Sequence, residues 1–187
     1  SQTAEVLCGI KHWPGHGDIK ADSHDAVAKT TKSLQELEAC EIAPFRALAA
    51  KADLVMTGHI IATALDPVNC ATTSKPSLDY LRNFYDSVIV SDSLTMEGLL
   101  QNIEGQDQTE RIANAAIKAI NAGCDLVVLG GKTLNAQNQT QEITPDEMID
   151  IHRRIVDAVE DKRLPLERVK KANIKVDALT RKLQKHE

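Results

Sequence analysis

The sequence has few of the features that mark nucleic-acid-binding, membrane-spanning or disulfide-stabilised proteins. Lys and Arg total 22 against 27 Asp and Glu, a formal net charge of -5, which argues against a nucleic-acid backbone or an anionic membrane surface as the main partner. No apolar run approaches the roughly 20 residues that a membrane helix needs. The four cysteines form no CxxC pair, so neither a metal knuckle nor a disulfide framework is indicated.

The first residues also lack the pattern of a signal peptide. Residues 1 to 12 contain neither a basic start nor a sustained apolar run, and both are needed for secretion. The expected location is therefore the cytoplasm. The chain begins with Ser1 rather than Met, so a secreted or lipoprotein form stays open as an alternative.

Hydrophobic residues make up 42% of the chain, which is enough for the core of a globular domain. Sequence with helical periodicity follows each of four short runs rich in Val, Ile and Leu. This alternation predicts a parallel sheet with helical crossovers, either doubly wound or closed into a barrel. A closed barrel has eight strands, so on the barrel interpretation half of it lies outside this chain. The predicted strands are Val6–Ile10, Asp53–Thr57, Ser87–Ser91 and Asp125–Leu129.

Local signals predict where several helices begin and end. Ser33 and Glu36 form a capping box, as do Thr144 and Glu147, which also flank a first-turn proline. Thr109 is a candidate cap for the helix before Gly123, a residue suited to the left-handed backbone that often ends helices. A last helix is predicted from Pro165 onward.

The densest group of polar residues directly follows the first predicted strand. It reads Lys11-His-Trp-Pro-Gly-His-Gly-Asp18-Ile-Lys-Ala-Asp22-Ser-His24. Loops at the carboxyl ends of strands are where both α/β architectures place active sites. Three interpretations are open at this point: a catalytic loop, a structural turn, or a metal site formed by His12, His16, Asp18 and His24.

Two smaller patterns are candidates for acid, base or nucleophile. Asp22 and His24 stand two residues apart, so in an extended segment the carboxylate can orient the imidazole; the alternative is a solvated turn pair. Asp92 closes the third predicted strand, where it can serve as a nucleophile or charge stabiliser. The alternative for Asp92 is a helix N-cap, a position that Asp fills well.

Several ordered motifs resemble one family. The segment from Lys11 to Asp18, followed by Asp22-Ser-His24, resembles the signature of the family 3 β-N-acetylglucosaminidases, glycoside hydrolases of bacterial cell-wall recycling. Met56-Thr-Gly-His59 resembles a strand end of that family, and Ser91-Asp-Ser-Leu-Thr-Met96 resembles its Ser-Asp-Asp-Leu-Ser-Met. The similarity runs from about Val6 to Gly131, and more loosely through the last helix.

This resemblance implies a fold and a missing partner. The fold is α/β, a (β/α)8 TIM-type barrel, of which the chain supplies about the last four βα units plus a C-terminal helix. Residues 1–187 would then be the C-terminal portion of a single TIM-barrel glycosidase domain. The N-terminal half of the barrel, from the same gene or from a second chain, is the expected protein partner.

The resemblance also implies roles for individual residues. Asp92 would be the nucleophile that forms a covalent glycosyl ester, His24 the general acid/base and Asp22 its partner. Other residues are expected to bind the sugar, with Lys11 and His12 hydrogen bonding to N-acetylglucosamine (GlcNAc). No metal is expected in this site. The substrate-binding residues predicted in this way are Lys11, His12, His16, His59 and Met96.

The implied activity is that of a retaining exo-β-N-acetylglucosaminidase that removes terminal GlcNAc from muropeptides or related β-1,4-linked sugars. Water would be the acceptor, and no cofactor is implied. One alternative is a variant that uses phosphate as the acceptor. Another is a non-catalytic remnant that binds sugar or acts as a scaffold, because Ser93 stands where the family usually has a second Asp.

Overall fold

The computed structural model describes residues 6–17, 28–130, 133–134 and 140–184. The predicted dyad, Asp22 and His24, lies outside the described residues, as does Asp18. The elements in chain order are β1 (Gly9–Trp13), β2 (Ala28–Thr30), α1 (Leu34–Ala39), α2 (Ala43–Leu48), β3 (Leu54–Thr57), β4 (Ile60–Ala62), α3 (Lys75–Arg82), β5 (Val88–Ser93), α4 (Glu97–Leu100), α5 (Gln108–Ala122), β6 (Leu126–Val128), β7 (Thr133–Leu134), β8 (Thr140–Gln141), α6 (Pro145–Glu160) and α7 (Leu166–Gln184).

The main sheet is parallel and has the order β1-β3-β5-β6. Each strand therefore pairs with the next strand of the main sheet along the chain, and the order never reverses. Doubly wound sheets reverse at a switch point, whereas barrels add strands in one direction. The observed order favours a barrel segment. Two small sheets that the sequence did not predict, parallel β2-β4 and antiparallel β7-β8, lie in the connections.

The first strand differs from its prediction. It spans Gly9–Trp13 rather than Val6–Ile10, and Val6 is 77% exposed. The prediction followed the apolar run, but the ladder with β3 continues through the polar Lys11. Polar residues at the carboxyl end of a barrel strand face the site rather than the core, so hydrophobicity alone misplaces this strand.

Most helix boundaries agree with the sequence signals. Both predicted capping boxes are present, at Ser33 for α1 and at Thr144 for α6. Gly123 ends α5 with φ of 136°. The predicted cap at Thr109 is wrong, because Asp107 caps α5 by accepting a hydrogen bond from the backbone of Glu110. Asp and Thr can both cap a helix. Here a first-turn N–H without a partner inside the helix belongs to Glu110, three residues after Asp107.

The helices bury one face of the sheet. Val55 of β3 and Ile89 of β5 are fully buried and belong to one cluster with Leu78 and Leu81 of α3. Burial of each such side chain contributes about 1.5–3 kcal/mol. A second cluster joins α4, α5 and α6 beyond the end of β5. These clusters hold the strands in a fixed register, which positions the residues at their carboxyl ends.

Helix α7 ties together the amino ends of three strands. Its cationic side chains at every seventh position lie on one face and pair with an aspartate before each strand. These ion pairs lie at the amino ends of the strands, opposite to the carboxyl ends that carry the candidate site residues. The pairs are Arg168–Asp125 before β6 at 2.9 Å, Lys175–Asp86 before β5 at 2.6 Å, and Lys182–Asp53 before β3 at 3.0 Å.

Among the helices in the described part of the chain, none combines the length and the apolar composition that a membrane crossing needs.

Candidate active site

A bulge at the end of β1 positions His12. The pairing of β1 with β3 shifts register between Lys11 and Trp13, so His12 is the extra residue. Bulges next to active sites re-aim side chains. The His12 side chain is partly buried, at 29% exposure, and points toward Asp92. The peptide bonds Lys11–His12 and Trp13–Pro14 are both cis.

Trp13 anchors this strand end. It is fully buried, and its indole N–H donates to the hydroxyl of Ser77 at 3.0 Å. The ring also packs edge-on against Phe45 with centroids 5.3 Å apart. Ser77 supplies the acceptor that the indole N–H requires when buried.

The turn after β1 requires glycine. Gly15 donates its N–H to the carbonyl of His12 at 2.7 Å and has φ of 125°. A Cβ added there would lie 2.5 Å from the Cβ of Glu41. A side chain at position 15 would therefore clash with the segment that precedes α2. Lys11 and His16, two predicted sugar-binding residues, are exposed at this end of β1.

Asp92 lies at the carboxyl end of β5 and is not a helix cap. Helix α4 begins at Glu97 after Met96, which excludes the N-cap interpretation of Asp92. One carboxylate oxygen accepts the Ser93 N–H at 2.8 Å, and the other lies 3.7 Å from Nε2 of His12. The side chain is 24% exposed. The carboxylate is thus oriented by the backbone and still reachable from solvent.

The electrostatic surroundings keep His12 neutral. Burial lowers the pKa of His12 below its ordinary value of 6.5, while the Asp92 carboxylate acts in the opposite sense. Electrostatic repulsion from Lys11 and His16 adds to the lowering of this pKa. A neutral imidazole can hydrogen bond to a ligand without cancelling the negative charge of Asp92.

Ser93 connects β5 to the end of β6. Its hydroxyl donates to the carbonyl of Gly130 at 2.8 Å and lies 2.9 Å from the hydroxyl of Thr95. Because the Gly130 carbonyl only accepts, the Ser93 proton is used there and Thr95 donates to Ser93. The hydroxyl of the serine that replaces the family's usual Asp is therefore hydrogen bonded within the protein both as donor and as acceptor.

His59 lies just behind the end of β5. It is 5% exposed, and its Nε2 lies 2.8 Å from the carbonyl oxygen of Ser93. Its Nδ1 lies 2.9 Å from the hydroxyl of Thr72, which in turn lies 2.9 Å from that of Thr57. Sequence reasoning assigned no role to either threonine. Thr57 lies within the Met56-Thr-Gly-His59 motif, and Thr72 comes from a connecting loop with no motif of its own.

The structure thus brings several predicted site residues to one end of the sheet. His12 and Asp92 face each other, and His59 contacts the residue that follows Asp92. Met96 is partly buried just before α4. The sugar contacts predicted for Lys11, His12, His16, His59 and Met96 stay predictions, as do the roles of Asp22, His24 and Asp92.

The buried imidazole of His59 predicts a loss of stability in acid. Burial lowers the pKa of His59 below its ordinary 6.5. Below this pH, His59 is therefore protonated in the unfolded chain but still neutral in the folded chain. Stability therefore falls as pH drops below 6.5, by at most about 1.4 kcal/mol per pH unit for one histidine. We expect His59→Gln to lose less stability than wild type between about pH 7 and pH 5, as measured by urea unfolding.

A matched variant controls this measurement. His152 is exposed on α6, so His152→Asn serves as the surface control for replacing a histidine. His12, whose pKa is lowered in the same direction, is retained in every variant. Parallel stability curves for wild type and His59→Gln would contradict the expectation.

Comparison with known proteins identifies the family. Residues 1–179 match the family described as Glycosyl hydrolase family 3 N terminal domain. A Beta-hexosaminidase of Idiomarina loihiensis is 33% identical over 128 residues, which covers 67% of this chain and 37% of that protein. A Beta-hexosaminidase of Tolumonas auensis is 39% identical over 122 residues, or 63% of this chain and 34% of that protein. The chain thus spans about a third of the length of these curated relatives.

Solved structures show the same architecture. A glycoside hydrolase family 3 beta-N-acetylglucosaminidase from Paenibacillus sp. superposes with a TM-score of 0.80 at 29% identity, covering 98% of this chain and 32% of that one. The beta-N-acetylglucosaminidase from Thermotoga maritima gives a TM-score of 0.72 at 22% identity, covering 96% of this chain and 35% of that one. At this lower identity, the likeness is one of fold alone.

The matches agree with the sheet and with the motifs. The family's N-terminal domain is a TIM-barrel-type α/β fold, and the strands of this chain are parallel and follow one another in order. The resemblance inferred from the motifs around Lys11, His59 and Asp92 is confirmed at the level of the family. This chain belongs to the glycosyl hydrolase family 3 N-terminal domain family.

Proposed function

We propose that this chain carries the catalytic residues of a retaining exo-β-N-acetylglucosaminidase, which removes terminal GlcNAc from muropeptides or related β-1,4-linked sugars. The observation that carries the proposal is the Asp92 carboxylate at the carboxyl end of β5, 3.7 Å from the neutral imidazole of His12. A charged, oriented and accessible carboxylate beside a hydrogen-bonding group suits attack on a sugar. Relatives named Beta-hexosaminidase support the substrate class.

In the first chemical step, Asp92 acts as the nucleophile. A carboxylate oxygen bonds to the anomeric carbon while the bond from that carbon to the leaving oxygen breaks, through an oxocarbenium-like transition state. His24, oriented by Asp22, gives its proton to the leaving oxygen. The products are a glycosyl ester of Asp92 and the departing alcohol.

In the second step, the neutral His24 removes a proton from water. The water oxygen bonds to the anomeric carbon, and the ester bond to Asp92 breaks. An imidazole suits both steps because its ordinary pKa lies near neutrality. Free GlcNAc of unchanged anomeric configuration leaves, and both catalytic groups return to their starting protonation.

The sugar would be held at the end of β1. Lys11 and His12 hydrogen bond to GlcNAc in this proposal, and the exposed His16 and the partly buried Met96 add contacts. Since Lys11 directly precedes His12, the extra residue of the bulge in β1, their side chains would reach the site from adjacent positions. Residue 93 carries a hydroxyl, hydrogen bonded to Gly130, instead of a second carboxylate. Asp92 is therefore the one carboxylate within β5.

The proposed enzyme needs further barrel units. In the described residues, β1 pairs in the main sheet only with β3, and β6 only with β5, so both outer edges of the sheet are unpaired there. Unpaired edges favour pairing with another chain segment. We propose that the remaining βα units come from the same gene or from a second chain, and we call the assembly with them the complete enzyme.

The test is an assay of GlcNAc release from a chromogenic GlcNAc glycoside. We expect the complete enzyme to release GlcNAc in water and in phosphate alike, since water is the proposed acceptor. Residues 1–187 alone should be at least about 100-fold slower, because a half-built pocket orients the substrate poorly. Size-exclusion chromatography would report whether the isolated segment self-associates.

Three outcomes would contradict these proposals. GlcNAc 1-phosphate as the main product in phosphate would assign phosphate as the acceptor. No turnover by the complete enzyme would favour a sugar-binding or scaffold protein. A soluble monomer of residues 1–187 with full activity would show that four strands suffice. Complete enzyme carrying Asp92→Ala controls for contaminating glycosidases.

A further inference from the structure

The surroundings of His59 define its protonation. The carbonyl of Ser93, 2.8 Å from Nε2, can only accept a hydrogen bond, so Nε2 carries a proton. Burial lowers the pKa of His59, so the ring is neutral near pH 7 and Nδ1 is an acceptor. The Thr72 hydroxyl lies 2.9 Å from Nδ1 and 3.2 Å from the carbonyl of Gly58, so its single proton is shared between these two acceptors.

The ring is held by a short chain of buried hydroxyl groups. Thr57 and Thr72 are both fully buried, with 2.9 Å between their hydroxyl oxygens. Because the Thr72 proton is used at Nδ1 of His59 or at the Gly58 carbonyl, Thr57 donates to Thr72. The ring plane of His59 is thus held by β3 and by the loop before α3, while the Ser93 carbonyl defines its tautomer.

Ser93 passes this constraint on to the nucleophile. Its carbonyl accepts from His59, its hydroxyl donates to the carbonyl of Gly130, and its N–H donates to one carboxylate oxygen of Asp92 at 2.8 Å. The Ser93 carbonyl also accepts the N–H of Met96 at 3.3 Å. A shift of Ser93 would therefore turn the Asp92 carboxylate.

We infer that His59 is a positioning residue for Asp92: its Nε2–H holds the Ser93 carbonyl, and the Ser93 N–H in turn aims the carboxylate at the anomeric carbon. The inference rests on the proposed function and deepens it. It replaces the sugar contact predicted for His59 by a role within the protein. The 5% exposure of His59 and the use of both its ring nitrogens support this role.

Two substitutions of His59 separate the roles of its nitrogens. The amide nitrogen of Gln can occupy the place of Nε2 and donate to Ser93, whereas the shorter Asn reaches only the place of Nδ1. In the complete enzyme, we expect His59→Asn to lower kcat about 100-fold with KM within about threefold of wild type, since misaligned reacting groups cost rate rather than binding. The kcat of His59→Gln should be at least about tenfold higher than that of His59→Asn.

Labelling with a slow fluorosugar substrate gives two quantities: its stoichiometry reports the fraction of correctly folded sites, and its rate constant reports the reactivity of Asp92. His59→Asn should still label Asp92 to full stoichiometry, but with a rate constant about 100-fold lower than wild type. Thr72→Val, which keeps the side-chain shape and removes the hydroxyl that contacts Nδ1, should slow labelling by a smaller factor. His152→Asn on the exposed face of α6 should label at the wild-type rate.

The outcomes distinguish this inference from the proposed function. Wild-type enzyme that is not labelled at Asp92 would overturn both. Wild-type labelling together with an unchanged rate in His59→Asn would overturn the positioning role alone. A raised KM with unchanged kcat would make His59 a sugar contact. If His59→Asn does not fold, an unchanged labelling rate in Thr72→Val overturns the inference, and a slowed rate supports it.

Discussion

Replacement of Asp92 by Ala in the complete enzyme is expected to lower kcat by at least about 10⁴-fold, since removal of a nucleophile from another enzyme costs about 10⁶-fold. The reason is that the covalent route through the glycosyl ester closes, which removes at least about 5 kcal/mol of transition-state stabilisation. The partly exposed side chain contributes little to the core. Urea unfolding should therefore give nearly the same stability for the variant and the wild type.

Small anions offer a second measurement on the same variant. The space left by the carboxylate can admit azide, which would attack the anomeric carbon from the side of Asp92. Because a single displacement inverts the configuration, the product from an activated β-glycoside should be the α-glycosyl azide. Asp92→Ala should recover activity in azide through this product, and wild type should not form it.

Labelling identifies the nucleophile directly. A slow fluorosugar substrate should modify the peptide that contains Asp92, and Asp92→Ala should not be labelled. Asp86→Ala is the matched control, since Asp86 precedes the same strand at its other end and pairs with Lys175. Its labelling should equal that of wild type. A label on any other carboxylate would contradict the assignment of Asp92.

Local sequence signals predicted the parts of the fold that depend on neighbouring residues. The capping boxes at Ser33 and Thr144 and the glycine that ends α5 act within a few residues, so they are visible in the sequence. The β2-β4 pair is different, because it joins residues 28–30 to residues 60–62. Such a pair depends on where two loops meet, and three-residue strands carry almost no periodicity.

The site was predictable where it follows from the topology. Carboxyl ends of parallel strands meet at one edge of a sheet, so residues that close β1 and β5 were expected to be close, and His12 and Asp92 are. The role of His59 could not be predicted in this way. Its contacts with Ser93 and Thr72 depend on ring orientation and hydrogen-bond direction, which only the folded packing defines.

The dyad gives the other large expected effect, and it depends on the leaving group. His24→Ala in the complete enzyme should lower kcat/KM about 10³-fold for a GlcNAc disaccharide, whose leaving alkoxide needs a proton. An activated aryl glycoside needs little protonation, so its kcat/KM should fall by less than about tenfold. Asp22→Asn should give an intermediate loss, because the imidazole remains but loses its charged partner. Steady-state kinetics on the two substrates measures this difference.

The second chemical step gives an independent test of His24. Without a base to activate water, the glycosyl ester of Asp92 should accumulate in His24→Ala, so an activated substrate should give a burst of product followed by slow turnover. Azide needs no base and should restore turnover, and two displacements should yield the β-glycosyl azide. This product is the opposite anomer to that expected from Asp92→Ala, so one reagent separates nucleophile from acid/base. Equal losses on both substrates, without a burst, would instead make His24 a structural residue of its loop.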